Sequence, residues 1–203
     1  MSRRSIVVVS GGLNEPSTTR MLGDMLASAT RRVLGERGVD TIVDVVELRD
    51  HANDLTNRLT TGFASGSLTS VLDTVAGADG LIVVTPVLSG SYSGLFKIFF
   101  DVLDRDALAT KPVLIAATGG TPRHSLVLDH ALRPLFSYLG AVVVPTGVFA
   151  ATEDWGAGSD QALPVRAQRA GAELAALVAR EPLPKPIDAF DDVPSFERLL
   201  GGD

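Results

Sequence analysis

The chain has 203 residues, enough for one domain with a tail and a core that needs no covalent staples. It lacks cysteine, which excludes disulfides, thiolate metal sites and a cysteine nucleophile; its three histidines (His51, His124, His130) include no pair at ligand spacing on one helix turn, so no metal is expected. A formal charge of −6 with 5% aromatic residues argues against nucleic acid as a partner, and a mean hydropathy of +0.25 suits a sheet buried on both faces.

Arg3 and Arg4 precede only a short apolar run, Ile6 to Val9, and then a glycine pair, which is not the pattern of a secretory leader. No apolar run approaches a membrane span, so no membrane association and a cytoplasmic location are expected. Ser5 to Ser10 is a continuous β-branched run, the pattern of a central parallel strand. Residues 17–37 carry helical spacing (Met21, Leu22, Met25, Leu26, Ala29, Val33), with Ser17 or Thr18 as N-cap and Gly38 as stop. A second strand is expected over 41–48, while 50–61 is polar and gives no clear assignment. A short helix over 68–75 precedes a third buried strand over 80–85, which Pro86 is expected to end. A helix over 93–103, a strand over 112–117, a helix over 125–139 interrupted by Pro134, a strand over 141–144 and an alanine-rich helix over 161–179 complete the pattern. This alternation predicts an α/β fold: a doubly wound five-stranded parallel sheet with helices on both faces. The domain is expected over 1–180. Residues 181–203 form a proline-rich acidic tail that composition marks as solvated, although Phe190, Phe196, Leu199 and Leu200 offer it a way to dock.

In open α/β sheets ligands bind beyond the carboxyl ends of the strands. Three loops there have unusual composition. The first, Ser10-Gly11-Gly12-Leu13-Asn14-Glu15-Pro16-Ser17-Thr18-Thr19-Arg20, joins a buried strand to a helix start, where free N–H groups and the helix dipole favour a phosphate monoester. It is neither a Walker loop nor G-x-G-x-x-G, and its plain alternative is an ordinary capped turn. The second, Thr85-Pro86-Val87-Leu88-Ser89-Gly90-Ser91-Tyr92-Ser93-Gly94-Leu95-Phe96-Lys97, suits a flat ring lying on backbone. Tyr92 either meets that ring or fills a seam; Lys97 either pairs with an acid or faces solvent. The third, Ala117-Thr118-Gly119-Gly120-Thr121-Pro122-Arg123-His124-Ser125, offers glycine N–H groups to negative charge. His124 is its candidate acid or base, or simply a helix-start residue. Three such loops on one edge point to a planar ligand bearing a phosphate.

These residues carry a resemblance. Ser10 with Ser17-Thr18-Thr19, then Pro86-Val87-x-x-x-Ser91-Tyr92-Ser93-Gly94-x-x-Lys97, then Ala117-Thr118-Gly119-Gly120-Thr121, are similar to the NADPH-dependent FMN reductase family, over about residues 5–180. Within it the chain resembles most the reductases that supply reduced FMN to a separate monooxygenase, of the alkanesulfonate-system type and the actinobacterial partners of luciferase-like enzymes. The resemblance implies a flavodoxin-like sheet of order 2-1-3-4-5. It places the FMN phosphate on Ser10, Ser17, Thr18 and Thr19, with Arg20 beside them, and the isoalloxazine on Pro86, Val87, Leu88, Ser91 and Tyr92. The pyrimidine end falls to Thr118, Gly119, Gly120 and Thr121, with His124 nearby. It also implies a homodimer or homotetramer. Asn14 stands where the family usually carries arginine, four residues after the opening serine. Monooxygenase-partnered relatives carry an inserted Tyr or His in the helix after the third loop, which makes a π-bulge and weakens flavin retention; His130 falls in that region.

The activity implied is hydride transfer from NADPH or NADH to FMN, with the flavin and not a side chain carrying the chemistry, so a shortage of catalytic residues is expected. The Gly119 and Gly120 amides are the candidates to stabilise the anionic reduced flavin. The rival reading keeps FMN bound and reduces quinones, azo dyes or chromate. A third, a flavodoxin-like electron carrier or receiver-like module, is disfavoured: the strand ends carry Ser10-Gly11 and Thr85-Pro86 rather than an acidic cluster, and Tyr92 is the one aromatic ring available to cover a flavin.

Overall fold

The computed structural model describes residues 3–155 and 162–180. The β-branched run near the amino terminus forms β1 (Arg3–Ser10), which pairs in parallel with β2 (Asp40–Glu47) on one side and β3 (Gly80–Leu88) on the other. β3 in turn pairs in parallel with β5 (Pro112–Gly119). Successive residues of these strands face opposite ways, so both faces must be covered. Ile6, Val8, Ile82, Val84, Leu114 and Ala116 lie under α1 (Thr18–Glu36) and α6 (Ala162–Val178). Val7, Val9, Leu81, Val83, Val113 and Ile115 lie under α2 (Ala52–Thr61), α3 (Gly66–Gly77), α4 (Gly94–Val102) and α5 (Arg133–Tyr138). The two helices of the first face approach closely at Gly171, where a Cβ would stand 2.8 Å from the Ala29 Cβ and 2.9 Å from the Thr30 nitrogen.

The doubly wound architecture is as expected, but the sheet has seven strands rather than five, in the order β2-β1-β3-β5-β6. The expected fifth strand, 141–144, shrinks to β6 (Val142–Val143), and a strand that was not expected, β7 (Val148–Ala151), follows it; both are parallel to β5. Pro145 cannot donate to a ladder, so the edge strand leaves the sheet between them. Side chains satisfy the freed backbone: Arg133 donates to the carbonyls of Val144 (3.1 Å) and Pro145 (3.0 Å), and the Thr146 N–H donates to the Glu173 carboxylate at 2.7 Å. The other added strand, β4 (Ser91–Tyr92), folds back antiparallel on the end of β3.

Pro86 does not end β3, which runs on to Leu88. The Val84 carbonyl accepts from the Gly11 N–H (2.8 Å), so alternation turns the Pro86 nitrogen to the same side, where β1 has already stopped at Ser10. No ladder bond is lost there. The unassigned stretch 50–61 is a 3₁₀ turn (Leu48–His51) followed by α2, which buries Leu55 and stops at Gly62 with φ 81°. The helix expected over 125–139 starts late, and Pro134 does not break it: Leu132 and Arg133 on its N-terminal side both keep right-handed helical geometry, and one turn widens instead. A 3₁₀ turn (Pro122–His124) leads to a π-turn (Leu128–Leu132), in which the Arg133 N–H reaches back to the Leu128 carbonyl, and α5 follows. Widening this turn relieves the clash between the Pro134 ring and the preceding turn of helix. The helix expected over 161–179 is α6; the proposed tail, 181–203, lies outside the described residues.

The contact at Thr146 gives the fold a pH dependence. Burial pushes the Glu173 carboxyl up, but bonds from the Thr146 N–H and hydroxyl and from Arg169 outweigh it, and the group sits below its ordinary value of 4.5. A lowered folded value means stability that is present above the ordinary value and lost as pH falls through the folded one. Denaturation midpoints measured against pH should therefore show wild type ahead of Glu173→Gln at neutral pH, with the gap closing on acidification below 4.5.

Candidate active site on the carboxyl rim of the sheet

β1, β3 and β5 are neighbours, so the loops after them meet on one rim. In the first loop the Gly12 N–H approaches the buried Ser10 hydroxyl at 3.5 Å. A Cβ on Gly12 would fall 2.2 Å from Ser17 Oγ, so any larger residue there displaces that hydroxyl. Ser17, extended at φ −121°, caps α1 by accepting from the Arg20 N–H at 3.2 Å. That leaves the N–H groups of Thr18 and Thr19, the first two helical donors, with no acceptor among the described residues. Thr19 is buried, and its hydroxyl meets that of Thr118 at 2.8 Å, which locks the first loop to the third.

Arg20 behaves differently from the rest of its group. Its guanidinium lies between Asp24 (2.8 Å) and Glu47 (3.0 Å). The hydrogen bond to Asp24 raises its pKa most, against a smaller opposing effect of burial, with Glu47 adding to the rise. A residue that the sequence did not single out supports the same loop. Arg49, in the 3₁₀ turn after β2, donates to the Asn14 carbonyl at 2.8 Å and to the Glu15 carboxylate. The signal for it was positional: it follows the end of the strand beside β1.

The second loop is a tight hairpin. Ser89 (φ 49°) and Gly90 (φ 84°) supply the two left-handed residues of a primed turn between β3 and β4. The buried Thr85 hydroxyl accepts from the Ser93 N–H at 3.0 Å, and Ser93 caps α4. Pro86, Val87 and Ser91 are half-buried along this edge, and Leu88 is 45% exposed. Tyr92 is half-buried with its ring centroid 6.0 Å from that of Phe96, so it does fill a seam, and the same ring borders an open cavity. Lys97 is paired with Asp101.

In the third loop Thr118 is buried, and a Cβ on Gly119 would come within 2.9 Å of the Phe149 ring. Gly120 has open space where a Cβ would be, and the Gly120 and Thr121 N–H groups find no acceptor among the described residues. His124 is exposed at the end of the 3₁₀ turn, and His130 is exposed in the π-turn. His51 precedes α2 and makes no capping bond with its side chain. The described residues include no cluster of three potential metal ligands and no helix long and apolar enough to cross a membrane.

The inter-loop lock can be tested directly. Thr118→Val removes one hydroxyl and leaves the buried Thr19 hydroxyl without its partner, which costs about 1–3 kcal/mol. A cycle of Thr19→Val, Thr118→Val and the double variant, followed by urea denaturation, should give a double variant less destabilised than the sum of the two single ones.

Known proteins resemble this chain. The model of the NADPH-dependent FMN reductase family matches residues 4–156. The chain is 46% identical over 152 residues to a Pseudomonas aeruginosa protein named FMN reductase (NADPH), covering 74% of this chain and 78% of that one. It is 41% identical over 172 residues to a Pseudomonas fluorescens protein named NADH-dependent FMN reductase SfnF, covering 84% and 89%. A solved oxidoreductase from Corynebacterium diphtheriae superposes with a TM-score of 0.86 at 47% identity, covering 89% of this chain and all of that one. The chain belongs to the NADPH-dependent FMN reductase family.

Proposed function

We propose that this protein is an NAD(P)H-dependent FMN reductase that works in the cytoplasm and releases reduced FMN to a flavin-dependent monooxygenase of the luciferase-like type. The observation that carries the reading is the rim itself. Two helical N–H groups, of Thr18 and Thr19, and two more, of Gly120 and Thr121, have no acceptor among the described residues, and the Thr19–Thr118 hydroxyl contact joins their two loops. This donor set fits a phosphorylated flavin. The helix start suits the phosphate, with the Ser10 and Ser17 hydroxyls beside it. Pro86, Val87, Leu88, Ser91 and Tyr92 form the wall for the ring. Thr118, Gly119, Gly120 and Thr121, with His124 nearby, face its pyrimidine end. Arg20 supports the loop through Glu47 instead of touching the phosphate, since its guanidinium is already engaged.

When bound, FMN supplies the hydride acceptor. The chain's own groups bind and orient: the Thr18 and Thr19 amides hold a dianion at the positive end of α1, and the Gly120 and Thr121 amides favour negative charge at the far end of the ring. No side chain needs to move a proton. The π-turn around His130 fits the reading in which flavin is released, an expectation that comes from the resemblance. Tyr138 (89% exposed) and Leu126 (62% exposed), on either side of that turn, suit contact with a second copy of the chain in a homodimer or homotetramer.

NADPH and NADH consumption measured with FMN, FAD and riboflavin as acceptors tests this reading. Turnover that depends on added FMN is expected, and its absence ends the proposal. Dialysed protein should be colourless; protein that stays yellow favours the rival reading of a bound flavin reducing quinones, azo dyes or chromate.

A further inference from the structure

The second and third loops of the rim do not close against each other. Between them lies an open groove of about 370 Å³ whose walls include Ser91, Arg123, His124 and His130. No carboxylate among the described residues lines it. Asp129, next in sequence to His130, is taken by Arg133 at 3.1 Å. Arg123 is exposed, with neither an ion pair nor a hydrogen bond among the described residues. Most other cations of this rim are committed: Arg20 to Asp24 and Glu47, Arg49 to Glu15, Lys97 to Asp101. In a chain of net charge −6, an uncompensated guanidinium beside two imidazoles is a local cationic site that attracts anions.

Resting on the function proposed above, we infer that this groove receives a phosphate of the adenylate half of the nicotinamide dinucleotide, with Arg123 as its anchor. The groove starts at both walls of the ring site, Ser91 on one side and His124 on the other, so a dinucleotide whose nicotinamide lies over the flavin can leave the rim through it. A planar guanidinium grips phosphate oxygens in pairs, which lysine does not. Two phosphates have this chemistry: the ribose 2′-phosphate, present only in NADPH, and the diphosphate common to both donors. Relatives of this chain carry names with NADPH and with NADH, so the groove is a natural place for that choice to be made.

The test compares wild type with Arg123→Ala and Arg123→Lys. Loss of a charge-assisted contact to phosphate is expected to raise KM about 10-fold or more in Arg123→Ala, with partial recovery in Arg123→Lys. FMN affinity and thermal midpoint should not move, which separates an anchor from a merely structural residue. A rise confined to NADPH identifies the 2′-phosphate, and an equal rise with both donors identifies the diphosphate. Calorimetric titration with adenosine 2′,5′-bisphosphate and with ADP, which needs no turnover, keeps this inference separate from the functional reading: wild type should bind at least one of them, more tightly than Arg123→Ala does. Unchanged KM for both donors, or equal binding of both probes by wild type and variant, overturns it.

Discussion

Gly12→Ala should weaken FMN binding about 10- to 100-fold while leaving the protein folded, a loss of about 1.4–2.8 kcal/mol. The new Cβ would fall 2.2 Å from Ser17 Oγ and 3.2 Å from Ser17 Cβ. Ser17 can escape only by turning its hydroxyl away, and it then gives up the Arg20 N–H that it caps. Loss of such a cap costs about 0.5–2 kcal/mol of stability. The proposed phosphate loses a hydroxyl at the same time, and the first turn of α1 loses its fixed geometry. Ser17→Ala removes the same cap by a different route, so the two changes should not add. A cycle of both single variants and the double, read by urea denaturation and FMN titration, should give a double variant close to the worse single one. Additive losses would mean that Gly12 and Ser17 act separately.

Phe96→Ala should cost about 3–5 kcal/mol, a large part of the 5–15 kcal/mol that holds most domains together. Phe96 is fully buried, with ring centroids 4.8 Å from Phe100 and 6.3 Å from Phe136. It also reaches the site: its Cδ2 lies 3.4 Å from where a Cβ on Gly11 would stand, and its ring neighbours that of Tyr92. The cavity left by alanine would therefore sit under both the first and the second loop. Urea midpoints for Phe96→Ala and Phe96→Leu should rank wild type, leucine, alanine, with FMN affinity falling in the same order. A loss below about 1 kcal/mol in Phe96→Ala would contradict the packing described here.

What the sequence made legible follows from how local each signal is. The buried strands were visible because Ile6 to Val9 and Leu81 to Val84 are continuous apolar runs, and Ser17 was visible as a cap because capping is a relation within three residues. The three loops stood out by composition. Relations across the chain were not visible: the hydroxyls of Thr19 and Thr118 are 99 residues apart, and Arg49 reaches the first loop only because β2 lies beside β1. Pro86 misled because its local meaning, a strand breaker, is cancelled by a neighbouring strand that has already ended. β7 was missed because Val148 to Ala151 is half alanine and follows a proline and a glycine, so its strand character comes from pairing with β5 and not from propensity.

The whole reading depends on a phosphorylated flavin resting on main-chain amides at the start of α1. Calorimetric titration of the protein with FMN and with riboflavin, which differ only in the phosphate, measures that dependence. With the Thr18 and Thr19 amides and the Ser17 hydroxyl all engaged, FMN should bind at least about 100-fold more tightly. Equal affinity for the two would contradict the account.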